Sequence, residues 1–123
     1  MNTFSNQPDT LRHSYLWDVF LWLLRRRRRF RVVGQSMLPL LQPGEEVLVD
    51  LNAYSVKPPC SGDIVVARQP QKPDLQIVKW VVRVEADGRC YLQGLNLAES
   101  TDSRSFGLVP LEAILGRVVC RFP

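Results

Sequence analysis

Hydrophobic and polar positions change their period once along this chain of 123 residues. In residues 15–24, YLWDVFLWLL, the apolar Leu16, Phe20, Leu23 and Leu24 recur at helical spacing, and five arginines follow. That spacing predicts a short amphipathic helix. Beyond Phe30 the pattern gives way to short β-like runs set off by proline and glycine, which predict strands over residues 31–33, 46–51, 63–68, 77–85, 90–93 and 116–122. Turns are predicted at Pro43-Gly44, Pro58-Pro59, Ser61-Gly62 and Asp87-Gly88, the last joining its flanking strands as a hairpin. Residues 1–10 are polar, contain Pro8 and are expected to be disordered. The pattern therefore predicts a mostly β fold: one compact antiparallel β domain over residues 31–123, preceded by an arm of residues 1–30 with the helix and the arginine run.

Length limits this chain to one hydrophobic core. A composition of 46% apolar and 23% charged residues is that of an ordinary folded domain. The helix of the arm would extend only about 16 Å, roughly half a bilayer core, and Asp18 interrupts it. It is not expected to span a membrane unaided. A secretory signal peptide is not expected either, because the basic residues follow the apolar stretch and no small-residue cleavage site comes after it. Two readings of the arm stay open: a helix packed on the domain with a solvated arginine face, and an interfacial membrane helix.

The net charge of +4 changes the picture once it is divided. Residues 1–31 hold seven arginines against two aspartates, while the remainder holds nine basic and ten acidic residues. The folded part has no surplus of phosphate-neutralising charge, so no nucleic-acid partner is expected. Cys60, Cys90 and Cys120 are widely spaced and His13 is the only histidine, so no zinc site and no disulfide framework are expected, and no cofactor is called for.

Four segments stand in a particular order: GQSMLPLL at 34–41, SGDIVVA at 61–67, IVKWVVRV at 77–84 and GLNLAESTDSRSFGLVP at 94–110. Together they resemble the type I signal peptidase family over residues 31–119. Within that family, the short length and the STDSRSFG ending resemble the maturation proteases of nickel-type superoxide dismutase. The resemblance implies an antiparallel β fold, a Ser-Lys dyad of Ser36 and Lys79, and oxyanion binding by the main-chain N–H of the nucleophile. It further implies that Ser100 hydrogen-bonds the catalytic lysine and that Asp102 and Arg104 form an ion pair fixing the loop. Many members carry a hydroxyl two residues before the nucleophile; here Gly34 stands there. The family commonly reads Gly-Asp-Asn where this chain has Gly94-Leu95-Asn96.

The residues fit that chemistry. A serine hydroxyl needs a base to take its proton, and the one histidine lies far from the motifs, which leaves Ser-Lys as the remaining common arrangement. Lysine serves as a base only when neutral, so its pKa must fall from about 10.4 towards 7 to 8 through burial. If residues 77–84 form a strand, Lys79 shares a face with Ile77 and Val81, while Val78, Trp80 and Val82 occupy the other. The strand alone leaves open a lysine that snorkels to solvent; the resemblance selects the buried base. Gly34 permits a tight backbone before Ser36, and Pro39 prevents a regular helix after it.

The expected function is a serine endopeptidase that removes an N-terminal leader from a precursor protein, with a nickel-type superoxide dismutase as the implied substrate. The alternatives are a membrane type I signal peptidase acting on exported preproteins, and an inactive β module that binds an anionic surface through its arm. A self-cleaving repressor is not expected, since neither Ala-Gly nor Cys-Gly occurs. Arginines are retained on the cytoplasmic side of a membrane. The run between the apolar stretch and the domain therefore predicts a cytoplasmic protein, at most peripheral at the inner membrane surface, where Arg25, Arg26, Arg27, Arg28 and Arg29 would meet anionic lipid.

Overall fold

A computed structural model describes Leu16 and residues 27–122. The helix expected over residues 15–24 and the disorder expected over residues 1–10 lie outside the described residues. Six strands form one sheet: β1 (Arg27–Arg31), β2 (Glu46–Asp50), β3 (Ile64–Gln69), β4 (Lys72–Val84), β5 (Cys90–Gln93) and β6 (Ile114–Arg121). Their order is β1-β2-β6-β3-β4-β5, and every pair is antiparallel. The mostly β, antiparallel fold read from the sequence is the one observed. Asp87-Gly88 closes the β4–β5 hairpin, with Gly88 at φ 92°, a backbone region that favours glycine.

Alternation along the strands sends side chains to two apolar layers. One layer gathers Val47, Val49, Ile64, Val66, Val78, Trp80 and Val118 with Val32, Met37 and Leu41 from the β1–β2 connection. The other gathers Val65, Ala67, Val81, Cys90, Leu92 and Val109, with Ile77 packed against it. A fully buried Val or Leu contributes roughly 1.5–3 kcal/mol. Met37 and Leu41, buried on either side of Pro39, therefore anchor the loop that carries Ser36.

Two strands depart from the sequence reading. The first runs over Arg27–Arg31, not residues 31–33, so the boundary expected after residue 30 falls inside β1. Its cause is non-local. Arg27 pairs in register with Asp50 and Arg31 with Glu46, and β2 thus presents an acid at each end to an arginine strand. Arg27 meets Asp50 at 3.1 Å, and Arg29 meets Glu46 at 2.7 Å while stacking over Phe122. Of the five arginines expected to meet lipid, Arg27 and Arg29 pair with Asp50 and Glu46, Arg28 is exposed, and Arg25 and Arg26 lie outside the described residues. β4, for its part, begins at Lys72, five residues early. The Gln69 side chain accepts from the main-chain N–H groups of Gln71 and Lys72, which closes the β3–β4 turn and lets the strand start before Pro73.

Candidate functional site

Lys79 sits mid-way along β4, where the bonded frame of the sheet fixes its direction. Ile77 and Val81 pack into one layer and Val78, Trp80 and Val82 into the other, as the alternation predicted. Lys79 is only 4% exposed. Burial pushes its ammonium down from the ordinary lysine value to about 8; the charge of Asp102 opposes that shift and Arg104 adds to it.

Nζ of Lys79 donates to Ser100 Oγ at 3.0 Å, and that hydroxyl donates to Asp102 Oδ2 at 2.9 Å. Asp102 is fully buried. Burial alone would raise its pKa, but hydrogen bonds from Arg104, Gly94 and Ser100 outweigh it and hold the carboxyl below its usual range. The main-chain N–H and Nε of Arg104 both donate to Oδ1, at 3.1 and 2.8 Å. The same guanidinium reaches the carbonyls of Leu97 and Ser100 at 2.7 and 3.2 Å, tying the loop over residues 94–102 to a one-turn helix, Ser103–Phe106, that Asp102 caps.

Ser36 reaches this cluster through Gly94. A Cβ on Gly94 would come within 2.6 Å of the Ser36 carbonyl oxygen and closer still to Ser100 Oγ. The two serines therefore flank one point, and only glycine leaves it empty. Gly34 has φ 81°, the left-handed conformation that the tight approach to Ser36 requires. The structure thus joins Lys79, Ser100, Asp102 and Arg104 in one hydrogen-bonded chain and sets the main-chain carbonyl of Ser36 against Gly94 beside Ser100, with Gly34 leading into the turn. Among the described residues, no group of His, Cys, Asp or Glu could hold a metal ion. A cleft of ≈ 240 Å³ whose lining includes Arg28, Phe30, Val66, Arg68, Gln76 and Leu115 touches none of these residues.

Two contributors, Asn96 and Ser103, were missed by sequence reasoning, and the structure shows what the departure at Leu95 does. Asn96 donates its main-chain N–H to the Ser36 carbonyl at 2.8 Å and its side-chain amide to the Gln35 carbonyl at 3.1 Å. Ser103 Oγ accepts from Leu92 N at 2.8 Å, docking the helix on β5. Leu95, which stands where the family commonly has an acid, packs against the layer that holds Met37 and Trp80, so apolar contact secures the loop there. The Asp-Ser pair at 102–103 is a capping signal that could have pointed to Ser103; no local pattern marks the reach of Asn96.

Comparison with known proteins identifies the family. The family model described as "Signal peptidase, peptidase S26" matches residues 16–87 and 83–122. This chain belongs to that signal peptidase family. It is 35% identical over 107 residues to "Mitochondrial inner membrane protease subunit 1" of Xenopus tropicalis, covering 72% of this chain and 64% of the relative. It is 36% identical over 110 residues to "Mitochondrial ATP-independent inner membrane protease subunit 1b" of Arabidopsis thaliana, covering 72% and 65%. It is also 32% identical over 53 residues to "Signal peptidase I" of Aquifex aeolicus, covering 43% and 21%. The chain thus spans somewhat less than two thirds of the length of the first two relatives.

These relatives correct two expectations. None of those named is a nickel superoxide dismutase maturation protease, so the narrower resemblance is not supported. Relatives named for the mitochondrial inner membrane point to membrane association and overturn the cytoplasmic placement. That placement rested on the rule that arginines are retained on the cytoplasmic side, applied to a run of which Arg27 and Arg29 pair with Asp50 and Glu46. Among the described residues, no helix is long and apolar enough to cross a membrane.

Proposed function

We propose that this chain is a Ser-Lys endopeptidase of the signal-peptidase kind that works at a membrane and removes the targeting segment of exported preproteins. The observation that carries the reading is Lys79: a lysine buried among apolar side chains, lowered to about 8, and held by Ser100 beside the turn of Ser36. A structural lysine has no use for such a setting, since burying an ammonium costs stability. A base does, because it must be neutral near physiological pH.

Neutral Lys79 donates one N–H to Ser100 and keeps a lone pair for the Ser36 hydroxyl. As Ser36 Oγ attacks the scissile carbonyl carbon, its proton passes to Nζ; the carbonyl oxygen becomes an oxyanion and binds the main-chain N–H of Ser36. Collapse of the tetrahedral intermediate breaks the C–N bond and Nζ returns the proton to the leaving amine. Water then hydrolyses the acyl-enzyme by the same route. Gly34 brings no hydroxyl to this oxyanion, so stabilisation rests on main-chain donors.

The test compares substrates. The full chain is offered an exported preprotein with a small-residue cleavage site and, separately, a nickel-type superoxide dismutase precursor. Cleavage of the preprotein at its leader junction supports the proposal. Cleavage of the dismutase precursor alone would restore the narrower specificity, and cleavage of neither, with Ser36 unlabelled by a serine-directed probe, would leave an inactive module.

A further inference from the structure

We infer that Asn96 is a positioning residue that fixes the direction of the Ser36 N–H, the main-chain donor to the oxyanion. The inference rests on the Ser-Lys reading above and deepens it. Ser36 lies between two peptide planes, and Asn96 holds both. Its side-chain amide donates to the carbonyl of Gln35 at 3.1 Å, and its main-chain N–H donates to the carbonyl of Ser36 at 2.8 Å. The Gln35 carbonyl and the Ser36 N–H belong to one planar unit. In a trans peptide they point in opposite directions, and the cis bond in this turn is the later Leu38–Pro39. Anchoring the oxygen of Gln35 therefore aims the N–H of Ser36 away from Asn96. A plane so fixed needs no reorientation as the oxyanion develops, which is the condition under which a main-chain donor stabilises it most.

Two features make this anchor consequential here. The residue two before Ser36 is Gly34, with a positive φ and no side chain, so the incoming segment is neither stiff nor able to supply a hydroxyl. Asn96 also belongs to the loop whose other end holds Ser100 and Asp102. The loop that orients the base thereby orients the oxyanion donor, and its two ends are brought to Ser36 by the close approach at Gly94.

The experiment compares the full-length wild type with Asn96→Ala and the isosteric Asn96→Asp, which both keep the main-chain bond to Ser36. Removing the side-chain donor should lower kcat on a fluorogenic peptide roughly 10-fold to 100-fold, with KM within about twofold. The pH profile of kcat/KM in Asn96→Ala should keep its position, because that change adds no charge near Lys79. A peptide aldehyde, which adds the Ser36 O–H across its C=O and places the resulting oxygen where the oxyanion would sit, should lose affinity by the same factor as kcat/KM. The matching unreactive peptide should bind as before. Equal kcat in wild type and Asn96→Ala overturns the inference alone, and so does a loss that tracks melting temperature or weakens both ligands alike. A wild type that cleaves no peptide overturns the Ser-Lys reading and this inference with it.

Discussion

Lys79 Nζ donates to Ser100 Oγ across 3.0 Å, joining the middle of β4 to a loop 21 positions further along the chain. The hydroxyl passes the contact on to the buried Asp102, whose charge is in turn met by Arg104. In the proposed mechanism the strand supplies the base and the pinned loop its orientation. The two are assembled by long-range contacts, and the lysine is kept dry by the apolar neighbours on its own strand.

The first prediction is the pH profile. As the proposed base Lys79 would act only when neutral, and burial lowers its pKa to about 8. Activity is therefore small below that value, rises as pH passes through it and levels off above. Steady-state kcat/KM measured from pH 6 to 10 should show a single ascending limb centred near 8. A profile that is flat across this range contradicts a lysine base.

The same shift makes a statement about stability. Lys79 is charged in the unfolded chain up to its ordinary pKa but loses its proton near pH 8 when folded. Between those values the unfolded state binds more protons, so stability rises with pH through this window; below about 8 the fold carries a buried ammonium. Lys79→Met should accordingly gain stability relative to wild type at pH 7, by up to about 3 kcal/mol, and lose that advantage by pH 10.5. Urea melts of both proteins at the two pH values read the difference, and a pH-independent difference refutes it.

At Gly94 the expectation is steric. An added methyl meets the Ser36 carbonyl at 2.6 Å and crowds Ser100, so one of the two serines must move. Gly94→Ala should lower kcat/KM on the order of 100-fold, since a displacement near 1 Å of a reacting group has about that effect. Circular dichroism should show the sheet intact. Unchanged kinetics would mean that the two serines do not need this approach.

Ser100→Ala removes the hydroxyl that bridges Lys79 and Asp102. The base loses its orienting partner while the buried carboxylate keeps Arg104 and the Gly94 N–H. A fall in kcat of roughly 10-fold to 100-fold is expected, with little change in KM. Stopped assays on the fluorogenic peptide check it, and wild-type kcat would remove Ser100 from the account.

Much of this arrangement is legible in the sequence wherever the relevant physics is local. Period-two alternation over residues 77–84 places Lys79 between its apolar neighbours, Asp87-Gly88 marks its hairpin, and the segments at 34–41 and 94–110 mark the two loops that meet at Gly94. Contacts made across the fold are not legible. Arg27–Arg31 reads as a charged arm until Glu46 and Asp50 are seen opposite, and the start of β4 at Lys72 shows only once the Gln69 side chain is seen closing the turn. Asn96 offers only a polar residue in a loop, because its value lies in two carbonyls some sixty positions earlier. The membrane placement was misread because the position of an arginine run says on which side charge is retained and nothing of the membrane association to which the relatives point.

The most direct test of the central claim is single-turnover cleavage of a preprotein by the wild type, Ser36→Ala and Lys79→Ala, with the new N-terminus read by mass spectrometry. Serine and base act as one unit, so each substitution should abolish the wild-type cut at the leader junction, with both variants folded by circular dichroism. Cleavage at the wild-type rate by either folded variant would contradict the dyad.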